Sequence, residues 1–323
     1  MKAAILTRPG WRSPRFLAEG LARMLTTLGI SSDIFLQGVP WLEAVTREGQ
    51  GRRHWFNARL AKRKLHRLAA YDFFIVSDTL QSLRNAVSLA PVRAMGRPML
   101  FYEVFYIGGS RTWLDQLPSD ALNRFDAFLS VSGVQDVKPV QPDSMFVVGM
   151  DHAPVQPFLA QRQFTALLDF PREGYEADRE LQQRAIQRAN IPVTCLDGEY
   201  TFEQIEQIYS QTGIAFVAFP EAFGIPIVQL QRYGAYIGSP HREWVKRHAL
   251  LPDLGAYYDV PEPAFTDNFV IYRDDQELAD RLAQLHESAA PEKVQERLLQ
   301  AQPFYCNGNT EQLRAALQYC NVI

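Results

Sequence analysis

Short apolar runs alternate along this chain with stretches in which apolar residues recur every three or four positions. Lys2–Thr7 is apolar and stops at Arg8-Pro9-Gly10, a turn signal. From Pro14 to Leu28, the residues Phe16, Leu17, Leu21, Met24, Leu25 and Leu28 share one helical face. Gly29 ends that helix, and Ser32–Leu36 reads as the next strand. Strand, helix, strand is how a parallel α/β sheet opens. Tyr71–Ser77 is a strand of the buried type, Leu80–Met95 a helix, and Pro98–Tyr102, Phe125–Ser130 and Met145–Val148 further strands. At Gly149–Pro157 the regular pattern pauses, and two prolines predict a linker. It resumes with Phe164–Asp169, a helix over Tyr175–Arg188 and the strand Pro192–Leu196. A helix over Thr201–Gln211 follows, and Thr201 with Gln204 three residues on has the form of a capping box. Then come the strand Ile214–Phe219, a helix at Ile227–Tyr233, the strand Ala235–Gly238 and a helix at Gln276–Glu287. Residues 251–268 are rich in proline and acid and read as loop; Asn309-Thr310 can cap a last helix, Glu311–Tyr319.

Two α/β units of similar size follow one another. The expected domains are residues 1–155, joined by a C-terminal helix at 310–323 that crosses back, and residues 156–309. The fold class is α/β, with two Rossmann-like parallel-sheet domains facing a cleft. Such sheets take ligands at the carboxyl ends of their strands. Dehydrogenases, periplasmic-type binding proteins and nucleotide-sugar transferases all fit this plan, and fold alone does not choose among them.

Composition narrows the field. The chain has 323 residues, 47% hydrophobic and 21% charged, which is ordinary for a soluble globular protein. A net charge of −3 excludes a polycation built for nucleic acid. Three cysteines, Cys195, Cys306 and Cys320, fit free thiols in a reducing cytoplasm. No apolar run approaches the roughly 20 residues of a membrane span. MKAAILTRPG lacks the features of a signal peptide, so a cytoplasmic location is expected and an exported sugar-binding protein is disfavoured.

The phosphate-binding signals are selective. The turn after the first strand is TRPGWRS, not GxGxxG, and no Walker-A lysine motif occurs. Nicotinamide, flavin and P-loop chemistry are therefore disfavoured. His241 and His248 have no third ligand nearby in sequence and read as surface histidines, so no metal site is expected. The most informative stretch is Phe219–Pro240, FPEAFGIPIVQLQRYGAYIGSP. It is a strand, a carboxylate, Gly224 and Pro226, then a helix opening. A glycine there lets an anion approach bare main-chain N–H groups and the positive end of a helix dipole. Glu221 can accept hydrogen bonds from hydroxyls, and Gln229, two turns on, can both donate and accept. The alternative is a plain strand–turn–helix with an exposed Glu221 and a core Phe223.

This segment resembles the donor-binding motif of retaining GT-B glycosyltransferases of family four (glycosyl transferases group 1): Glu, seven residues, Glu, with Phe-Gly-x-Pro inside. Glu221, Phe223, Gly224 and Pro226 match, and Gly234 matches the small residue after the helix; the second acid is Gln229 here. Arg124–Ser132, Val148–Phe158 and Gln207–Pro220 also resemble steps of that family's chain. The double glycine common after the first strand is missing, and where a basic pair is expected Arg172 is followed by Glu173. The resemblance implies transfer of a sugar from a nucleotide-diphosphate donor, of UDP or GDP type, with retention of configuration. It implies no permanently bound cofactor and no required metal. Glu221 would bind donor hydroxyls, Phe223, Gly224 and Ile225 would offer main-chain amides, Gln229 would hold the ribose, and Arg172 would offset diphosphate charge. A non-catalytic relative, kept as a nucleotide-sugar-binding or regulatory partner, is the second reading; Gln229 and Glu173 motivate it.

Candidate acceptor-side groups lie in the first half. Trp11, Arg12 and Arg15 follow the first strand and suit a sugar face and an anionic group; helix capping and surface charge explain them equally well. Glu103 ends the strand PMLFYE, where a carboxylate could steer an acceptor hydroxyl or support the sugar cation. Glycan, lipid-linked and protein acceptors all remain open. Residues 47–67 carry eight Lys/Arg against one Glu, a local +7. That basic amphipathic stretch can rest on anionic lipid at the inner membrane face, or simply pack on its own sheet.

Overall fold

The central strands form because their side chains are apolar on both faces and both faces are covered, whereas the edge strands Ser31–Phe35 and Val193–Cys195 are partly exposed. A computed structural model of the chain describes residues 1–7, 12–35, 66–78, 90–103, 123, 125–134, 142–152, 162–221, 223–250 and 264–323. The chain divides into two compact units. Met1–His152 with Asn307–Ile323 belong to one, and Ala153–Leu254 with Asp259–Cys306 to the other.

The first unit holds six strands: β1 (Lys2–Thr7), β2 (Ser31–Phe35), β3 (Phe73–Asp78), β4 (Met99–Glu103), β5 (Ala127–Ser130) and β6 (Met145–Val147). They pair in the order β2-β1-β3-β4-β5-β6, all parallel. Every residue of β4 is buried, as expected of a central strand covered on two sides. Helix α1 (Arg12–Thr27) buries Leu17, Leu21, Met24 and Leu25, the stripe expected from the sequence. Of the expected helix at Leu80–Met95 the described part is a short turn, α2 (Ala90–Arg93).

The stretch expected to be a linker is tied down over its first residues. Tyr102 Oη donates to the carbonyl of Gly149 at 2.6 Å, and Asp151 bridges to Asn307. Helix α1 comes so close that a Cβ on Gly20 would sit 2.4 Å from the carbonyl oxygen of Asp151. Arg23 closes the contact by pairing with the Asp151 carboxylate at 2.7 Å.

The second unit holds β7 (Ala166–Leu168), β8 (Val193–Cys195), β9 (Ile214–Phe216), β10 (Tyr236–Ser239) and β11 (Phe269–Ile271). Their order is β11-β10-β9-β7-β8, again all parallel. Its helices are α3 (Glu176–Arg188), α4 (Phe202–Gln211), α5 (Ile225–Arg232), α6 (Asp275–Ser288), α7 (Pro291–Ala301) and α8 (Phe304–Asn307, closing at the unit boundary). Alternate strand residues feed two cores. Ala166, Leu168, Ile214 and Phe216 pack with Ile186 of α3 and Leu278 of α6. Leu167, Ala215 and Val217 pack with Tyr209 of α4 and with Ile227 and Leu230 of α5. The capping box at the start of α4 is present: Thr201 Oγ1 accepts from the Gln204 amide at 3.3 Å, and Gln204 Oε1 accepts from the Thr201 amide at 2.7 Å.

The last helix, α9 (Thr310–Tyr319), packs on β5, β6 and α1 of the first unit, with Tyr319 5.7 Å from Phe146 between ring centres. Asn309 caps it by accepting from the Gln312 amide. The structure adds two elements to the expected set and corrects two expectations. β11 and α7 are regular elements that the sequence pattern missed. Helix α5 starts two residues earlier than expected, at Ile225. His248, expected at the surface, is buried, because the short 3₁₀ segment Arg242–His248 kinks at Val245 and turns it inward.

Candidate functional site

In the second sheet the connections run outward in opposite directions from β7 and β9, so the strand order reverses between them. That is a switch point, where the carboxyl ends of two neighbouring strands open a crevice that no crossing connection fills. Three chain segments meet there: Asp169–Arg172 after β7, Phe219–Gly224 after β9, and the first turn of α5.

The Phe219–Gly224 loop is held from two sides. The Glu221 amide donates to the carbonyl of Trp244 at 3.0 Å, and His248 Nε2 bonds the carbonyl of Phe223 at 2.6 Å. Phe223 itself is a core residue, packed 4.9 Å from both His248 and Tyr305. Burial lowers His248 to about 4, with the neighbouring Arg247 charge adding to the effect and the Phe223 bond opposing it. The ring is therefore neutral at pH 7, and its Nε2 carries the hydrogen that Phe223 accepts. Gly224 follows at φ +78°, in the left-handed region. A Cβ there would meet the Ile227 side chain at 2.7 Å and Glu221 Cβ at 3.4 Å. Helix α5 then starts with Ile225 and Pro226; Pro226 has no N–H and the Ile227 amide donates to the Gly224 carbonyl at 2.9 Å, so the Ile225 amide is the first-turn donor that lies beyond the reach of an intrahelical acceptor.

Charge gathers on the same spot. Glu221 and Asp169 line one small cavity, of about 30 Å³, with Tyr209, Pro226 and Ile227 among the other walls. The Glu221 carboxyl is pushed up to about 7, first by burial and then by the Asp169 carboxylate, with Arg172 acting against them. Asp169 is raised as well, chiefly by burial, while the Phe170 amide, Arg172 and Arg179 pull it down. Arg172 stacks over the Phe219 ring, 4.5 Å from its centre. Glu221 is thus not freely exposed: it is a half-buried acid whose carboxyl is raised toward neutral pH.

The remaining sequence candidates fall as follows. Ile225 is buried as the first residue of α5, and Gln229 is half-buried one turn on. The fully buried glutamine of that helix is Gln231, which accepts from Asn268 at 3.0 Å and donates to the Ile227 carbonyl. Glu103 is buried at the end of β4, level with Asp78 on β3 and Ser130 on β5. Arg15 pairs with Glu19 on the exposed face of α1 at 2.8 Å. Arg12 opens α1, and nothing of its side chain is described. Trp11 lies outside the described residues, as do residues 47–65 of the basic segment. Asp169 and Tyr209 were not singled out from the sequence. The available signal was position alone: an acid directly after an apolar strand. Among the described residues no three His, Cys, Asp or Glu groups cluster closely enough to hold a metal ion, and no helix is long and apolar enough to cross a membrane.

No family model and no curated protein sequence matches the chain. Solved structures do. The catalytic domain of starch synthase IV from Arabidopsis thaliana, solved with ADP and acarbose, is 12% identical over 99% of this chain and 98% of that one, with a TM-score of 0.55. MurG from Acinetobacter baumannii is 12% identical over 98% and 99%, at 0.48. The calicheamicin glycosyltransferase CalG4 is 10% identical over 98% of both chains, at 0.46. At such identity the likeness speaks for the fold: this chain has two Rossmann-like parallel-sheet domains of the GT-B type.

Proposed function

We propose that the chain is a glycosyltransferase that moves a sugar from a nucleotide-diphosphate sugar, of UDP or GDP type, to an acceptor hydroxyl with retention of configuration. One observation carries this reading. At the switch point of the second sheet a half-buried acid, a left-handed glycine and the opening of α5 stand beside an arginine fixed over an aromatic ring. The helix end and Arg172 suit a diphosphate. Glu221 suits sugar hydroxyls, with Phe223, Gly224 and Ile225 lending the main chain around the donor and Gln229 reaching ribose. Fixed positive dipoles at a departing diphosphate stabilise the charge that builds as the glycosidic bond breaks. The GT-B fold and the ADP-bound starch synthase domain of the same fold support the donor class. Glu103, with Trp11, Arg12 and Arg15, is assigned to a glycan, lipid-linked or protein acceptor in the first unit. The basic stretch 47–67 is assigned to peripheral contact with the inner membrane face.

Incubation with UDP- and GDP-sugars is expected to release free nucleotide slowly, and Glu221→Ala is expected to abolish the release with the fold retained. Absence of binding by UDP, GDP or their sugars in calorimetry would overturn the reading. A second reading is a non-catalytic nucleotide-sugar-binding partner. Gln229 in place of an acid and Glu173 in place of a base favour it; turnover by the wild-type chain dismisses it.

A further inference from the structure

Asp169 has no part in the donor motif, yet it shares a wall with the motif's acid. The two strands that carry the acids are neighbours in the sheet, with Leu168 opposite Phe216. Asp169 follows the first directly, and the loop after the second brings Glu221 back to the same cavity. That cavity has room for a water molecule or one sugar substituent, not for a whole ring. Its other walls are apolar apart from the Tyr209 phenol.

Two guanidinium groups lie near and act against the rise, Arg172 on both acids and Arg179 on Asp169, yet both carboxyls stay above their ordinary values. Arg179 of α3 donates to the main-chain carbonyl of Asp169, and Arg172 sits over the Phe219 ring. The facing parts of α5 (Pro226, Ile227, Leu230), of β10 (Ile237) and of the turn after β8 (Leu196) add no charge. Two acids in so small an apolar space repel each other's ionised forms.

We propose that Asp169 is a specificity-determining residue of the donor site: with Glu221 it forms an acid pair that admits neutral or amino-substituted sugars and rejects hexuronic acids. The inference rests on the glycosyltransferase reading for its ligand, not for the pair itself. Burial raises both carboxyls, and their repulsion raises Glu221 further, so below about pH 7 the pair holds a proton that Glu221 would otherwise have lost. Glu221 then meets a sugar hydroxyl as donor as well as acceptor, and the pocket shows the anionic donor one negative charge instead of two. A sugar carboxylate would add a like charge in a poorly hydrated space, which is a strong bar to binding.

The test compares wild type with Asp169→Asn and Asp169→Ser, each first shown to unfold cooperatively. UDP-glucose and UDP-glucuronate are titrated calorimetrically at pH 6 and pH 8, with UDP, GDP and ADP as nucleotide controls. Wild type is expected to prefer the glucose ester about tenfold or more, and more strongly at pH 8, while the variants bring the two within about threefold. Equal affinities in wild type, or an unchanged preference in both variants, overturn the proposal. Failure of every nucleotide to bind would sink the broader reading and leave the pair to a second measurement, unfolding stability against pH. There the loss of stability linked to Glu221 runs from about pH 4.5 to about 7, and Asp169→Asn is expected to complete it at lower pH; an upper limit that stays near 7 refutes the pairing.

Discussion

The guanidinium of Arg172 lies 4.5 Å above the ring of Phe219, so a cation beside the switch point is held by an aromatic face. Such a contact fixes the group while leaving its N–H donors available to an anion. If Arg172 receives the diphosphate, both residues matter, in different measure. Arg172→Ala is expected to weaken UDP or GDP binding about tenfold or more, through loss of a charge-assisted contact. Phe219→Leu keeps the charge but loses about 0.5–1 kcal/mol of cation–π attraction, so affinity falls roughly two- to fivefold. Arg172→Lys keeps the charge without the planar fork and should fall between the two. Calorimetry on the three variants checks the order; equal affinities across the set would remove Arg172 from the site.

The half-buried Glu221 and the buried His248 titrate in opposite senses, and their effects on stability largely cancel. Glu221 is raised to about 7 from 4.5, so the folded state holds its proton longer than the unfolded chain. Its contribution is full below about pH 4.5 and is lost as pH rises through 7. His248 is lowered to about 4 from 6.5, so the unfolded chain binds its proton first. Its contribution is full above about pH 6.5 and is lost as pH falls through 4. Each effect is on the order of 3 kcal/mol. Wild-type stability is therefore expected to be nearly flat between about pH 4.5 and 6.5. Glu221→Gln should uncover a rise with pH across that window and leave the protein more stable than wild type at pH 8. His248→Gln should uncover a fall. Urea unfolding at half-unit pH steps reads both slopes, and a flat profile in either variant refutes the corresponding assignment.

The first sheet was legible because its central strands are apolar on both faces, so β1, β3 and β4 stand out as continuous runs. The start of α4 was legible in finer detail, since Thr201 and Gln204 carry their capping geometry in their spacing. β11 was not: only three residues pair, directly after a proline- and acid-rich stretch. Helix α7 was hidden because its buried residues are Val294 and Leu298 alone, two positions on an otherwise polar surface. At the site, the motif located Glu221 and Gly224 but not the direction of the acid. Its partner Asp169 comes from a different strand, and no local pattern records that two carbonyl-end loops converge. His248 was misplaced for a related reason: a kink at Val245, invisible in composition, decides which way the ring turns.

The close approach of α1 to the segment after β6 is a test of the first unit alone. A Cβ on Gly20 would stand 2.4 Å from the Asp151 carbonyl oxygen, and main chain cannot swing aside as a long side chain can. Gly20→Ala would otherwise favour the helix by about 1 kcal/mol. The collision is expected to outweigh that gain and leave a net loss of about 1–3 kcal/mol. It should also separate Arg23 from Asp151. Chemical unfolding decides between the two signs, and a stabilised Gly20→Ala would show that helix and segment are not in contact in solution.

Arg162 gives the second unit its counterpart. Its guanidinium donates to the carbonyls of Thr212, just past α4, and of Tyr233, just past α5, with longer contacts to Ser210 and Gly234 at 3.4 Å each. These carbonyls are among those a helix leaves unpaired at its carboxyl end, where a cation also suits the dipole. Burial lowers Arg162 to about 10, against the pull of Glu292, so it stays charged at any pH of interest. One side chain thus fastens the far ends of two helices, and the near end of one of them, α5, opens beside Glu221. Arg162→Met keeps much of the length and apolar bulk but strips the carbonyls of their donor. The expected loss is about 2–4 kcal/mol, because charged hydrogen bonds vanish and half-buried acceptors are left bare. Hydrogen exchange is expected to rise first at the carboxyl ends of α4 and α5. A lysine at the position should recover only part of the loss, since one ammonium cannot span the carbonyls of both helices. Protection unchanged at both helix ends would show that the clamp does not hold them.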